Sequence, residues 1–219
     1  MLTIHGVTRS RASRIIWLCH EIGLAFRQIP VIQAYRLADP DAPDAALNTH
    51  SPAFLALSPA GTIPVIEDDG LTLSESLAAT LYLARKYGGD LGPADLAEDA
   101  QMMQWSFYAA TSVEPDALTI LFLHAPSRLQ PGDDQALVAN AAERLVRPLK
   151  VIEGHLATHE HLVGGRFTVA DLNLAEVLRY AQGYGELMGQ FPAMLAWLER
   201  CQARPAFRKM WEARLAEPE

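Results

Sequence analysis

One segment constrains this chain more than any other: Ser58-Pro-Ala-Gly-Thr-Ile-Pro64-Val-Ile-Glu-Asp-Asp-Gly70-Leu-Thr-Leu-Ser-Glu75-Ser76. Pro64 has no N–H, so it heads an apolar strand only at a sheet edge or a turn. Held cis, it turns the chain sharply and leaves the backbone N–H and C=O of Ile63 to an added, extended ligand. Asp68-Asp69-Gly70 returns the chain as a hairpin. Glu75-Ser76 then opens an apolar helix, where unpaired N–H groups and the helix dipole favour a carboxylate. A ligand with a peptide-like middle and a carboxylate at one end satisfies both features.

Upstream of that segment the pattern is βαβ. Residues 2–7 read as a short apolar strand, and 13–24 carry helical periodicity through Ile15, Ile16, Leu18, Cys19, Ile22 and Leu24. Residues 26–32 read as a second strand, parallel to the first. Residues 33–49 include Asp39-Pro-Asp-Ala-Pro-Asp44 and read as a long surface loop, either flanking a site or simply solvated. Ser51-Pro52 starts a short helix. Residues 63–67 and 71–73 form a hairpin, and 75–87 a helix packed on the sheet. Gly88-Gly-Asp-Leu-Gly-Pro93 punctuates the chain. Every later pattern is helical, over 96–123, 134–157, 169–182, 191–203 and 205–216. The expected architecture is an α+β domain over 1–88 followed by an all-α domain over 95–219.

At these residues the whole chain resembles the cytosolic glutathione transferase family, of bacterial type with a serine active site. The resemblance makes the first domain thioredoxin-like and glutathione-binding. It implies that Ile63, before the cis proline Pro64, pairs its backbone with the cysteinyl part of glutathione, with Thr62 in the same edge. It implies that Glu75-Ser76 hold the γ-glutamyl group. A second match is Phe167-Thr168-Val-Ala-Asp171-Leu172, where Thr168 and Asp171 have the spacing of a capping box and Phe167 and Leu172 occupy the staple positions. That motif is structural and carries no information about substrate.

A glutathione transferase must generate a thiolate at neutral pH, and a hydroxyl donor, a helix start and cations each favour one. Thr8-Arg9-Ser10-Arg11-Ala12-Ser13-Arg14 supplies all three. By resemblance Ser10 is the thiol-activating hydroxyl. Ser13 is the alternative, as activator, glutathione contact or helix N-cap, and Thr8 is a weaker candidate. Arginines are unfavourable at a positive helix end, so at least one is expected to meet an anionic ligand, Arg11 first. Two positions depart from the family: Gly61, where some serine-type members carry histidine, and Leu77, where some carry arginine. His50 either compensates or is a surface histidine.

The second substrate of this family lies between the two halves, which points to Trp105, Tyr108 and Ser112, on one helical stripe, as a pocket for an apolar electrophile. The same aromatics also read as core packing. His155 and His159 are spaced to chelate zinc, with His161 nearby, but no cysteine or carboxylate completes a set, and no metal is expected.

The 219 residues carry a net charge of −8, which argues against nucleic acid and against a polybasic membrane anchor. No apolar run approaches the roughly twenty residues that span a bilayer. Met1-Leu-Thr-Ile-His lacks a signal-peptide layout, and two distant cysteines, Cys19 and Cys201, read as reduced thiols. The expected setting is cytoplasmic, and the resemblance implies a homodimer. Three functions fit: conjugation of glutathione to a small hydrophobic electrophile, glutathione-dependent disulfide or peroxide reduction, and a non-catalytic binding module.

Overall fold

The computed structural model describes residues 1–124 and 133–217. Two compact units emerge, one of Met1–Gly89 together with the segment from Pro205 onward, the other of Asp90–Arg204.

The first unit is built on a four-stranded sheet of order β2-β1-β3-β4, from β1 (Leu2–His5), β2 (Phe26–Ile29), β3 (Val65–Asp68) and β4 (Leu71–Ser74). β1 and β2 are parallel, joined through α1 (Ser13–Ile22), as the βαβ pattern predicts. The other two pairings are antiparallel. α1 buries Ile15, Ile16, Trp17, Leu18 and Cys19 and stops at Gly23, whose φ of 65° is the left-handed cap that glycine adopts without penalty. The short α2 (Pro52–Leu57) starts with proline in its first turn. α3 (Ser76–Tyr87) buries Ala79, Thr80, Leu83 and Ala84. The 33–49 loop is closed at its base by the fully buried Asn48, whose amide donates to the carbonyls of Pro40 and Ala46.

In the second unit the predicted single helix over 96–123 is two, α4 (Leu96–Tyr108) and α5 (Glu114–Leu123), separated by a wider turn at Ala109–Val113. Pro115 is the physical reason. It has no N–H to donate, and its ring crowds the carbonyl four residues back. α6 (Asp133–Leu156) packs on α5. α7 (Val169–Leu178) is buried along its whole length, flanked by α4, α5 and α9 (Pro192–Gln202). A short α8 (Gly185–Met188) lies between them in sequence.

The last helix, α10 (Pro205–Ala216), departs from the expected 95–219 domain. It packs against α1, with the Phe207 and Trp17 rings edge to face at 5.0 Å, and so belongs to the sheet-bearing unit. No helix among the described residues is long and apolar enough to cross a membrane.

Candidate active site

The sheet register assembles the site. His5 pairs with Val65, and Val65 with Ser74. Residues 6–12, which follow β1, 63–64, which precede β3, and 75–76, which follow β4, therefore all lie at the same end of the sheet. Gly6, with φ 143°, governs how closely the first two approach. A Cβ at this position would lie 3.3 Å from the Cβ of Ile63 and 3.5 Å from that of Ala12.

The Ile63–Pro64 peptide is cis. Pro64 is buried, and Ile63 packs on Val31, Phe54 and Val65. Among the described residues no hydrogen bond engages the backbone N–H or C=O of Ile63. Thr62 is exposed and accepts a hydrogen bond from the Ser58 hydroxyl at its carbonyl, at 3.2 Å.

Glu75 is exposed and has φ 66°, an uncommon conformation for a residue with a side chain. It caps α3 with its backbone alone. Ser76 is the first residue of the helix and is 4% exposed. Arg14, 1% exposed, donates from Nη1 to the Ser76 Oγ at 2.9 Å. A buried guanidinium thus backs a helix start whose first N–H groups await an acceptor.

Ser10 lies in the turn after β1, where Arg9 (φ −73°, ψ 41°) and Ser10 (φ −144°, ψ −168°) break the helical path. Its Oγ accepts the Ala12 N–H at 3.0 Å and donates to the Val7 carbonyl at 2.6 Å. The residue is half-buried. Ser13, the alternative hydroxyl, is the first residue of α1 and is 0% exposed, so it offers no surface to an incoming thiol. Thr8 is buried as well.

The three arginines separate cleanly. Arg11 is exposed, whereas Arg9 turns toward α10 and donates from Nε to the Arg214 carbonyl at 3.0 Å. The arginine delivered to Ser76 is Arg14, not Arg11, and it supplies beside Ser76 the positive charge that Leu77 does not. Gly61 also has a structural cause. Its φ is 61°, and a Cβ there would stand 3.2 Å from the Thr49 carbonyl oxygen, so the backbone itself calls for glycine. His50 is exposed beside Asp41, 3.6 Å away, a surface histidine.

In the helical unit, Trp105 is buried and meets His155 edge to face at 5.1 Å. The Tyr108 hydroxyl, made less acidic chiefly by burial, donates to the Pro148 carbonyl at 3.3 Å. Tyr108 and Ser112 are half-buried. His155 stacks on His159 at 4.3 Å and directs its Nε2 at the His161 carbonyl. Among the described residues no group of three or more His, Cys, Asp or Glu is placed to hold a metal.

The chain matches the N-terminal domain profile of glutathione S-transferases over residues 9–86 and the C-terminal domain profile over 101–205. It is 34% identical to glutathione S-transferase 3 of Zea mays, over 95% of this chain and 92% of that one. The chain belongs to the glutathione S-transferase family.

Glutathione S-transferases of known structure share its architecture, thioredoxin-like sheet domain and helical domain alike. Glutathione transferase F7 of Populus trichocarpa superposes with a TM-score of 0.82 at 28% identity, covering 98% of this chain and 99% of that one. The theta class enzyme of Xanthomonas axonopodis pv. citri, solved with glutathione bound, gives 0.75 at 27% identity, covering 95% of each chain. Sequence reasoning did not single out Gly6, and it placed Arg14 behind Arg11 among the three arginines. Arg14 had one available signal: it lies three and four residues before Trp17 and Leu18, on the buried stripe of α1.

Proposed function

We propose that this chain joins the thiolate of glutathione to small hydrophobic electrophiles, with Ser10 as the hydroxyl that stabilises the thiolate. One observation carries this reading: a half-exposed hydroxyl, an unpaired backbone edge and a cation-backed helix start meet at one end of the sheet. Each suits one part of the tripeptide. The Ile63 backbone, extended by Thr62, pairs with the cysteinyl residue as an added strand. Ser76 and the α3 start take the γ-glutamyl carboxylate, with the buried Arg14 charge behind Ser76, and Glu75 takes its ammonium group.

A free thiol, with a pKa of about 8.5, is only a few per cent ionised at neutral pH. The Ser10 oxygen already accepts the Ala12 N–H, which polarises its O–H for donation. In the proposed complex that O–H leaves the Val7 carbonyl and donates to the sulfur, so the thiol proton is released to solvent. The sulfur lone pair then forms the bond to the electrophilic carbon, and the displaced electron pair departs with the leaving group or enters a conjugated acceptor. Proximity supplies much of the remaining acceleration.

The chain's own thiols stay out of this chemistry. Burial pushes the Cys19 thiol up to about 12, and Cys201 is buried as well. That favours conjugation over disulfide exchange through a protein cysteine. Tyr108 and Ser112 are the proposed contacts for the electrophile, with Trp105 as the buried support behind Tyr108. A two-fold homodimer accompanies this reading, and light scattering in solution tests it.

Ser10→Ala is the decisive variant. It is expected to raise the pKa of bound glutathione by about two units. Turnover at neutral pH falls about ten- to a hundredfold, with little change in glutathione affinity. A pH–rate profile and ultraviolet thiolate absorbance read this out. Profiles identical to those of the unaltered protein would remove Ser10 from the mechanism.

A further inference from the structure

The peptide groups of Thr8 and Arg9, the two residues between Ser10 and its own acceptor Val7, are held by side chains from α10 and the residue after it. Glu217 accepts the Thr8 N–H on Oε1 at 2.7 Å and the Arg9 N–H on Oε2 at 2.8 Å. Arg214 returns the contact, donating from Nη1 to the Thr8 carbonyl at 2.8 Å. Arg9 donates from Nε to the Arg214 carbonyl at 3.0 Å. The Arg9 carbonyl accepts from Gln33 Nε2 at 3.2 Å.

Two consecutive N–H groups converge on one carboxylate only when the backbone bends into an anion-binding concavity. Arg9, at ψ 41°, provides that bend. Both N–H groups meet carboxylate oxygens, so the two hydrogen bonds are charge-assisted. The clamp is itself anchored. Phe207 lies on Trp17 of α1 and stacks on Trp211 at 5.8 Å, and the Arg214 guanidinium sits 5.5 Å from the Trp211 ring centre. The direction in which the Ser10 hydroxyl leaves the turn is therefore set by Thr8 and Arg9, and their orientation is set by Glu217.

We propose that Glu217, seconded by Arg214, is a positioning residue for Ser10: it holds the turn in the geometry that presents the hydroxyl to a bound thiol. The proposal rests on the reading of Ser10 as the thiolate-stabilising group. It requires that the effect of Glu217 pass through Ser10 alone.

The test is a double-mutant cycle of Glu217→Ala and Ser10→Ala in the full-length chain. It measures kcat, KM for glutathione and the pKa of bound glutathione with 1-chloro-2,4-dinitrobenzene as electrophile. In the Ser10 background, Glu217→Ala is expected to lower kcat about tenfold, raise the bound-thiol pKa and move KM less than about threefold. In the Ser10→Ala background the same substitution is expected to change kcat by less than about twofold. Glu217→Gln keeps the side-chain length and one acceptor, gives an intermediate loss, and replaces the alanine variant if that one fails to fold.

Equal losses in both backgrounds would show that Glu217 acts on the fold in general and would overturn the proposal. So would an unchanged kcat and pKa in the Ser10 background while Ser10→Ala remains damaging. If Ser10→Ala alone leaves kcat and the pH profile unchanged, the Ser10 reading fails first and takes this proposal with it.

Discussion

At the residue scale, what distinguishes this site is a buried arginine that reaches the hydroxyl at a helix start. Arg14 is almost entirely enclosed, yet its guanidinium is directed at Ser76 at the start of α3. Enclosure raises the value of a charge to an anion that displaces the remaining water. Arg14→Met preserves the packed stem and deletes the head. It is expected to weaken glutathione binding by about 1.5–3 kcal/mol, roughly ten- to a hundredfold, with a smaller effect on kcat. Titration calorimetry checks this, and affinity equal to that of the unaltered chain would assign Arg14 to the fold alone. The cis proline and the Glu75-Ser76 helix start were legible in the sequence because each follows from what one residue type does to the backbone. Arg14 was less so. Three arginines within six residues look alike until the stripe containing Trp17 and Leu18 shows which of them turns inward.

At the scale of elements, α7 is the most demanding piece of the fold, because every one of its residues is buried. Such a helix has no water to satisfy its first N–H groups, and the capping box does so instead. Asp171 Oδ2 accepts the Thr168 N–H at 3.0 Å, while its Oδ1 takes the Leu162 N–H at 3.1 Å and Trp197 Nε1 at 2.9 Å. Asp171→Ala removes the acceptor of four donors at once, the Thr168 hydroxyl included, and each stranded donor costs about 1–3 kcal/mol. A loss of about 4 kcal/mol is expected, read as a shifted urea midpoint in tryptophan fluorescence; a loss no larger than that of an ordinary exposed cap would contradict this account. The motif at Thr168 and Asp171 was legible because the capping spacing is local. The division of 96–123 into α4 and α5 was not read, since apolar periodicity continues across it. Pro115 carried the only local sign of the break.

At the scale of the molecule, α10 shows where a helical pattern runs out of information. Its periodicity marks a helix but not the unit that receives its apolar face, and that is settled by Trp17 on α1. The charges that set acid stability are similarly distributed over both units. In the sheet-bearing unit, burial foremost and then Lys209 hold the His20 pKa below its ordinary 6.5. Burial raises the Asp68 carboxyl, but its bonds to Lys86, Tyr82 and Tyr87 outweigh this and leave it lowered. In the helical unit, Arg166 closes on both oxygens of Glu98, and the Ala94 N–H adds to it, so that Glu98 is held down to about 2 from 4.5. All three groups bind protons more readily in the unfolded chain, so stability falls as pH falls. The His20 contribution begins to be lost below about 6.5, that of Glu98 between about 4.5 and 2, and that of Asp68 below its ordinary 3.8. Glu98→Gln cannot ionise, so it is expected to flatten the decline in melting temperature between about pH 4.5 and 2 and leave the higher step in place. Gly164, with φ 66°, lies directly under this pair: a Cβ there would collide with Arg166 Nη1 and the Glu98 carboxylate. Gly164→Ala should therefore reproduce the flattening while leaving the ionisable groups intact. An acid profile unchanged in both variants would show that the Arg166–Glu98 pair contributes nothing to the acid limit of this fold.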